Sequence, residues 1–585
     1  MAKTTGKNLK GKSDEAKTEK KFIYSKFLVP VYLIVISALF YANYNAIFDE
    51  KVDMNGDNIY YYSLGRAMAD GKGFTNVIGY EESPHEHFPP GYPAFISVLM
   101  KTGLSSIHAI KVANGFLLYL SLILLFFIFA KLSKNNIIAF VSIAFSASHA
   151  QLLRFSTIMM SEMLFIFLTA LIIFIVLFWN VKDAFANRKK LGIDIGALVL
   201  LSVSLAYLYF VRTVGVSLML AVLIYYGIVF IQYLFKTIKK TRQKQDVRQD
   251  KMVLIKYAVV CFVVILSILV PKMAWDARNR QAFGNAEISY LGDFMNKGGG
   301  EKMASFDDWK ERIISNSTVY ITKYIPSSII YIHNYSPTDT KATSGEWGKG
   351  LFFVALMLLA LFKSKQKGLL LFFYLGITFC VLLFYPEQFA GHRYMTPVMP
   401  FLIFLFIDGF YELSNLFKAK FLRLKAENKV YKNVLAISVC AIFFLIAQSS
   451  YSQSFNDIKS QARYKTYNER NAMPPFLEFI QATDWIAKNI PDTARIASRK
   501  PEIFYIFSGN RKCAGLPYYG TPEEVLNDFE KNKIDYVLID WWFRHAYTTV
   551  VPCIQKYEDK FRIVHQIGGQ NNQPVTYIVQ FLRDK

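Results

Sequence analysis

Eleven long apolar segments constrain this 585-residue chain more than any other feature of its sequence. A transmembrane helix needs about 20 mostly apolar residues to cross the hydrocarbon core of a bilayer. Because apolar residues make up 53% of the chain and charged residues only 19%, a soluble fold of this length could not bury so much apolar surface. The predicted fold class is therefore mainly α, a polytopic transmembrane helical bundle. Its predicted spans are 27–48, 108–130, 137–153, 158–180, 192–211, 214–235, 253–272, 349–362, 369–386, 394–410 and 433–450.

Lysine and arginine concentrate in every second segment between these spans. The tail 1–26 and five loops hold 30 Lys and Arg against 8 Asp and Glu, so they carry +22 of the +23 formal charge. Because basic loops stay on the cytoplasmic side, the alternation predicts a cytoplasmic N-terminus and an extracytoplasmic segment after residue 450. This topology, with contact to anionic lipid, accounts for the positive charge and argues against a nucleic-acid partner. The five loops are 131–136, 181–191, 236–252, 363–367 and 411–432.

Three regions follow from this topology. Residues 1–26 form a predicted basic cytoplasmic tail. A transmembrane domain is predicted over 27–450, with a first outer loop at 49–107 and a large outer loop at 273–348. Its first span is predicted to be retained as an anchor, because it is too long for a signal peptide and no small-residue cleavage pattern follows it.

Residues 451–585 are predicted to form an extracytoplasmic α/β domain, with a helix over Pro474–Ile490 and a second near Glu523–Asn532. Acceptor recognition and a stabilising cap are both open as roles for this domain. Cys513 and Cys553 could pair there, since an oxidising outer compartment permits disulfides. Short apolar runs predict its strands, at Ala494–Ala497, Asp535–Asp540, Phe561–Ile567 and Val575–Phe581.

The first outer loop contains an acid at the start of a helical pattern. After Asp57, apolar residues recur with helical spacing until Gly71 and Gly73. Asp57 therefore falls at or just before a helix N-terminus, where a carboxylate is favoured. A capping role alone would also account for this aspartate.

Farther along the loop, His85 and His87 precede a stiff turn that runs from Phe88 to Pro93 and includes Tyr92. Its three prolines fix φ, and Gly91 supplies backbone freedom. A His-x-His pair followed by such a turn can hold a cation or a phosphate. Loop histidines are, however, more often plain solvated residues.

One acid and several cations fall at span ends on the predicted outer face. A carboxylate at the rim of an apolar helix is costly unless it is paired or functional. Basic residues at helix ends are also common for snorkelling, so each has an ordinary explanation by itself. Together they predict a charged site. The residues are Glu162, Arg212, Arg278, His392 and Arg393, with Tyr394 beside them.

Six short motifs follow one another in order along this outer face. They are GDNIYYYSLGRAMADGKGF and HFPPGYP in the first outer loop, SEMLF, YFVRTVG, ARNRQAFG and GHRYMTPVMP. As an ordered set covering residues 27 to about 410, they resemble the GT-C superfamily of polytopic glycosyltransferases. The resemblance is to the bacterial branch with protein mannosyltransferases and lipid A aminoarabinose transferases.

The resemblance implies transfer of a sugar from a polyprenyl-phosphate donor to a lipid, glycan or protein acceptor. It implies a bacterial inner membrane, with the active site facing the periplasm. Asp57 takes the family's position for the catalytic acid and is expected to be the general base. The protein mannosyltransferases usually have Asp-Glu where this chain has Asp57-Asn58, which departs from that branch but not from the superfamily.

The chemistry of such a transfer suggests a role for each candidate residue. A base must take the acceptor proton, and cations must stabilise the charge that grows on the leaving phosphate. We expect Arg212, Arg278, His392 and Arg393 to bind the donor phosphate. The other candidates are expected to bind acceptor or donor: His85, His87, Tyr92, Glu162 and Tyr394.

Two alternatives stay open. His85, His87 and Glu162 are ligand types that a divalent metal ion could use, although no cofactor is certain. The rival to a transferase is a non-enzymatic transporter or flippase of a lipid-linked saccharide. It would also need cations and an outward-facing cavity, but it has no need of Asp57 as a base.

Overall fold

The computed structural model describes residues 28–54, 56–185, 188–284, 295–296, 303–330, 341–386, 391–421, 429–542, 546–569 and 575–583. The tail predicted at 1–26 lies outside the described residues. By their contacts the residues form two compact units. Of the described residues, the helical unit comprises those within 28–47, 113–157 and 161–460, and the mixed unit comprises those within 48–112, 158–160 and 461–583.

Helices account for nearly all regular structure up to residue 462. A π-helical turn, Tyr320–Tyr324, joins the eleventh helix to the twelfth. In chain order the helices are α1 (Leu28–Ile47), α2 (Gly56–Ala69), α3 (Gly91–Lys101), α4 (Ile107–Ser133), α5 (Asn136–Ala147), α6 (Ala150–Ser156), α7 (Glu162–Phe178), α8 (Leu191–Val211), α9 (Val216–Arg242), α10 (Arg248–Phe283), α11 (Phe306–Val319), α12 (Ile325–Ile329), α13 (Ser344–Lys363), α14 (Gln366–Phe384), α15 (Met399–Phe421) and α16 (Lys429–Ala462).

Each predicted span coincides with a helix of the described chain. Among the described residues, nine helices are long and apolar enough to cross a membrane. The segment predicted at 137–153 is a broken pair, α5 and α6, bent by 59°, and the one predicted at 158–180 is the shorter apolar helix α7. The protein is therefore a multi-pass integral membrane protein with the predicted helical bundle.

Small residues and aromatic rings pack the helical unit. The rings of Phe129 on α4 and Phe404 on α15 stack at a centroid distance of 4.2 Å. Gly409 on α15 lies directly against the Leu356 carbonyl of α13, where a Cβ atom would collide with the backbone. Helices that associate within lipid use such small residues to approach closely. Ser146 on α5 is fully buried, as expected for a segment that faces other helices.

The mixed unit contains a five-stranded sheet formed by the C-terminal part of the chain. Its order is β4-β3-β5-β7-β6, and β3 runs parallel to both β4 and β5, whereas β7 runs antiparallel to β5 and β6. The strand runs predicted from sequence are all present. The strands are β3 (Ile496–Ser498), β4 (Ala514–Gly515), β5 (Tyr536–Ile539), β6 (Phe561–Gly568) and β7 (Val575–Phe581), and β1 (Thr75–Asn76) pairs with β2 (Ser83–Pro84) in the first outer loop.

Helices pack on this sheet around an apolar core. Thr521 and Glu524 form a capping box that starts the second predicted helix, and its buried face packs Phe529 against Val537 and Val579 of the sheet. The helices are α17 (Pro474–Asn489), α18 (Pro501–Phe507), α19 (Pro522–Lys531) and α20 (Val551–Lys556).

The two cysteines of this unit are both buried and unpaired. Cys513 lies immediately before β4, and Cys553 lies on α20 within the apolar core. Burial raises the pKa of both thiols. Of the two states that the sequence left open, the structure has the free thiols.

Candidate functional site

A fully buried carboxylate lies at the start of α7 in the helical unit. Glu162 is 0% exposed, and its Oε1 atom pairs with Arg212 Nη1 at 2.8 Å and with Arg393 Nε at 2.7 Å. An ionised carboxylate in an apolar interior is costly unless opposite charges compensate it, and two guanidiniums do so here. Residues that the sequence places at the ends of three separate spans are thus brought into direct contact.

Short turns at helix ends position the two arginines. Arg212 is the residue after α8 and has an extended backbone, and a 3-10 turn, Thr213–Gly215, follows it. Its Nη1 atom also donates to Ser161 Oγ at 3.3 Å, just before α7. Arg393 lies in another 3-10 turn, His392–Met395, ahead of α15. Both guanidiniums are therefore held where the chain leaves or enters a helix.

The cluster of Glu162, Arg212 and Arg393 carries an excess of positive charge. One carboxylate faces two guanidiniums, which gives a net charge of +1. The arginine side chains are 14% and 28% exposed, whereas the carboxylate is enclosed. An anion can therefore approach the guanidiniums but not the carboxylate. The sequence predicted that Glu162 contacts donor or acceptor; its burial makes it the counter-charge that holds the two arginines.

His392 lies beside two serine hydroxyls of α12. Its Nε2 atom is 3.1 Å from Ser327 Oγ and 3.3 Å from Ser328 Oγ. Its backbone carbonyl accepts a hydrogen bond from Gln151 Nε2, which also donates to Thr396 Oγ1. Loss of hydration lowers the pKa of His392 to about 4, so the ring is neutral near pH 7. A neutral ring offers hydrogen bonds rather than a positive charge, and the predicted contact of His392 with the donor phosphate stays a prediction.

Arg278 and Tyr394 are held by aromatic contacts in the same unit. The Arg278 guanidinium lies 5.1 Å from the ring centroid of Trp275 and 5.2 Å from that of Phe283, all on α10. The Tyr394 hydroxyl is 3.5 Å from the Tyr385 hydroxyl, and the two ring centroids are 5.1 Å apart. Both side chains stay partly exposed. Their predicted contact with donor or acceptor remains a prediction.

Asp57 lies in the mixed unit, in the first turn of α2. The helix begins at Gly56, close to where the spacing predicted its start, and the aspartate remains partly exposed. The partial positive charge at a helix N-terminus stabilises a negative side chain in this position. Asp57 is thus an accessible carboxylate on a rigid element, which is what a proton acceptor requires.

His85 is a structural residue of the first outer loop. Its Nδ1 atom is hydrogen-bonded to Asn76 Oδ1 at 2.6 Å, and its Nε2 atom accepts from the Phe88 backbone N–H at 2.9 Å. Because Nε2 is an acceptor, the ring proton lies on Nδ1. Both ring nitrogens thus have partners within the loop, and the predicted contact of His85 with donor or acceptor stays a prediction.

His87 and Tyr92 differ in exposure. His87 is exposed, and its ring packs edge to face against that of Phe88, with the ring centroids 4.7 Å apart. Tyr92 is fully buried at the start of α3, where the centroid of its ring lies 5.2 Å from that of Tyr61. Tyr92 therefore packs the interior of the mixed unit, and its predicted contact with donor or acceptor stays a prediction. His87 stays accessible.

No group of three or more His, Cys, Asp or Glu residues in the described part of the chain could hold a metal ion. His85 is committed to Asn76 and Phe88, and the Glu162 carboxylate is committed to its arginines. The three ligand types His85, His87 and Glu162 therefore do not form the metal site that their chemistry allowed.

A buried lysine at the start of α4 was missed from the sequence. Lys111 Nζ donates to Asp49 Oδ1 at 2.9 Å and to the backbone carbonyls of Asp49 and Lys51 at 2.7 and 2.9 Å. A lysine near the end of an apolar span was the available signal, because such a residue needs a partner. Here the partner is the start of the first outer loop, so Lys111 anchors that loop.

Two solved structures of an oligosaccharyltransferase share this fold, and a solved structure of ArnT has a lower TM-score. The oligosaccharyltransferase of Archaeoglobus fulgidus tethered with an acceptor peptide has a TM-score of 0.53 and 11% identity, over 94% of this chain and 74% of that chain. Its apo form has a TM-score of 0.51 and 13% identity, over 88% and 70%. ArnT from Cupriavidus metallidurans bound to undecaprenyl phosphate has a TM-score of 0.48 and 10% identity, over 95% and 98%.

In sequence, the chain matches no protein-family model and no curated protein. At identities near 11%, the structural likeness concerns the fold alone. That likeness extends over nearly the whole chain, and it agrees with the resemblance carried by the six ordered motifs. The chain has the fold of the solved oligosaccharyltransferase structures, as the resemblance to the GT-C superfamily predicts.

Proposed function

We propose that this protein is a membrane glycosyltransferase. It moves a sugar from a polyprenyl-phosphate donor to a lipid, glycan or protein acceptor on the extracytoplasmic face, with Asp57 as general base. The proposal combines the GT-C fold, the ordered motifs and two charged sites of different character. The alternation of basic loops supports an active site on the extracytoplasmic face, and the resemblance to the bacterial branch makes that face the periplasmic side of an inner membrane.

The pair of arginines around Glu162 is the observation that carries the proposal. Breaking the bond between an anomeric carbon and a polyprenyl phosphate leaves negative charge on the phosphate oxygens. Preorganised cations aimed at that charge lower the barrier, and guanidiniums suit phosphate because they can bind it with two parallel hydrogen bonds. Arg212 and Arg393 are both held by the Glu162 carboxylate, and both guanidinium side chains are partly exposed.

Asp57 is suited to the other half of the reaction, the removal of the acceptor proton. The acceptor hydroxyl must lose its proton as it attacks the sugar, and a positioned carboxylate can take that proton. Asp57 is accessible and lies on the first turn of a helix, so its position is defined by backbone rather than by a flexible loop. Glu162 could not serve in this way, because its carboxylate is enclosed and already paired.

The other candidates take narrower roles. Arg278, whose guanidinium lies near the rings of Trp275 and Phe283, is proposed as a further cation for the donor phosphate. Neutral His392 and partly exposed Tyr394 are proposed to offer hydrogen bonds to the donor. His87 is proposed to contact the acceptor or donor from the first outer loop.

Mass spectrometry of cell envelopes tests this function. Deletion of the gene should remove one sugar-bearing glycolipid, glycan or glycoprotein, and should lead its polyprenyl-phosphate sugar to accumulate. The wild-type gene should restore the product, and an Arg212→Ala, Arg393→Ala double variant should not. An unchanged envelope, with no accumulated lipid-linked sugar, would contradict a transferase.

Substitution of Asp57 distinguishes a transferase function from a transporter function. A transporter of a lipid-linked saccharide needs cations for the phosphate but no base for an acceptor. The product should therefore stay absent with Asp57→Asn and return with Asp70→Asn, which removes an exposed carboxylate just beyond the other end of the same helix. Full restoration by Asp57→Asn would favour the transporter.

A further inference from the structure

A break between two helices of the bundle brings a polar side chain to the arginine cluster. The segment predicted as one span, 137–153, bends by 59° between α5 and α6, although it contains no proline or glycine. Asn43 of α1 donates to the carbonyl of Ala147, the last residue of α5, at 3.2 Å and to Ser148 Oγ at 3.1 Å. Because a helix end leaves carbonyls without intrahelical partners, the first of these bonds satisfies a group that the break leaves open. The break is therefore a built feature of the helical unit.

Beyond the break, Gln151 of α6 bridges the two ends of the turn that carries Arg393. Its Nε2 atom donates at 2.8 Å to the backbone carbonyl of His392, the first residue of the turn. The same atom donates at 2.8 Å to Oγ1 of Thr396, the residue after the turn, which is fully buried. An amide group carries two hydrogens, and both are used here. The turn cannot move relative to α6 without breaking these two hydrogen bonds.

A second irregular element contacts the same turn. The hydroxyls of Ser327 and Ser328 on α12 lie beside the ring of His392, and α12 directly follows the π-helical turn Tyr320–Tyr324. π-Helical turns are rare and frequently lie at functional sites. Broken helices within a membrane are tolerated where they are buried in protein or line a cavity. A broken span and a π-helical turn thus both lead to the residues that flank Arg393.

We propose that Gln151 is a positioning residue for Arg393. By holding the turn, it keeps the Arg393 guanidinium at the Glu162 carboxylate, with Nε 2.7 Å from Oε1, and in the orientation that binds the donor phosphate. The inference rests on the transferase function proposed above and deepens it. A guanidinium binds phosphate best through two parallel hydrogen bonds, so its orientation matters as much as its charge. A displacement of about 1 Å at such a contact can cost about 100-fold in rate.

A double-mutant cycle tests the positioning role, with the affinity for undecaprenyl phosphate measured by native mass spectrometry of the full chain in nanodiscs. Gln151→Leu, which keeps a similar size but has no donor, should weaken binding about tenfold. Because the effect passes through Arg393, the same change should weaken binding less than about twofold in the Arg393→Ala background. Thr396→Val removes one acceptor of the bridge and should weaken binding about threefold. Gln232→Leu, which replaces an exposed glutamine of α9, is the matched control and should change nothing.

Two results would overturn the positioning role. One is wild-type affinity in both Gln151→Leu and Thr396→Val. The other is an equal loss from Gln151→Leu with and without Arg393, because a general loss of packing would weaken binding in both backgrounds. If Gln151→Leu does not fold, Thr396→Val made in the same two backgrounds is judged by the same criteria. A wild-type protein that does not bind undecaprenyl phosphate would instead contradict the transferase function itself, so the two failures are distinguishable.

Discussion

The two carboxylates that the sequence singled out, Glu162 and Asp57, have opposite environments. Glu162 begins an apolar helix, is fully enclosed and is neutralised by two guanidiniums. Asp57 begins a helix of the mixed unit and remains accessible. The comparison teaches that a carboxylate among apolar helices stays ionised only when cations pair with it. Such a carboxylate therefore fixes the positions of its partners, as Glu162 does for the two arginines. An acid at an accessible helix terminus stays within reach of a substrate and can exchange protons with it.

Removing each carboxylate should therefore have very different effects on stability. Glu162→Ala leaves two guanidiniums without their shared counter-charge, and we expect it to lower the free energy of unfolding by about 3–5 kcal/mol. Asp57→Ala removes a partly exposed charge at a helix N-terminus, and we expect a loss of about 1 kcal/mol. Unfolding of both variants in the same detergent measures the difference. Equal losses of unfolding free energy in the two variants would contradict the difference between the two environments.

The next largest expected effect is the loss of phosphate binding when Arg212 or Arg393 is replaced. Arg212→Ala and Arg393→Ala each remove a charged hydrogen-bonding partner from a phosphate, so each should weaken binding of undecaprenyl phosphate about 10- to 100-fold. Native mass spectrometry of the protein in nanodiscs can measure this. Lys272→Ala is the control, since Lys272 is exposed and pairs with Asp276 on its own helix. Equal affinity in all three variants would show that the cluster does not bind phosphate.

Acid should destabilise the protein through His392. Its pKa in the folded state is about 4, below the ordinary value of 6.5, so the unfolded chain takes up the proton first. The contribution of the neutral ring is fully present above pH 6.5 and is lost as the pH falls towards 4. Thermal unfolding between pH 7.5 and 5 should show a shallower pH dependence for His392→Asn than for the wild type. Identical slopes would mean that the ring is hydrated and can carry charge.

The smallest effect concerns the thiols of the mixed unit. Cys513 and Cys553 are buried, and burial raises the pKa of both, so the reactive thiolate is scarce. Maleimide should label them slowly in the folded protein and fully after denaturation without reductant. A denatured, unreduced protein that resists labelling at both positions would reveal a disulfide.

Much of the fold was predictable, because apolar length and charge alternation are imposed by the bilayer itself. The helices nevertheless extend beyond their apolar windows. α10 covers Arg248–Phe283 where the apolar run predicted 253–272, since hydropathy marks the lipid-facing part of a helix and not its polar ends. In the mixed unit, the strand β4 was missed because two residues are too few to show the alternation of apolar and polar residues that predicts a strand.

The site was predictable only in part. Residue types and span ends identified Glu162, Arg212 and Arg393, but their mutual contact depends on how three helices pack. The neutrality of His392 and the burial of Tyr92 depend on surroundings that a local pattern does not contain.

The initial rate of product formation by Asp57→Asn tests the central claim most directly. In membranes of the deletion strain that contain equal amounts of each variant, the sugar-bearing envelope product is followed by mass spectrometry over time. Loss of the general base should lower the rate about 100- to 10,000-fold relative to Asp70→Asn. A rate for Asp57→Asn within a factor of about two of that control would contradict the assignment of Asp57 as the base.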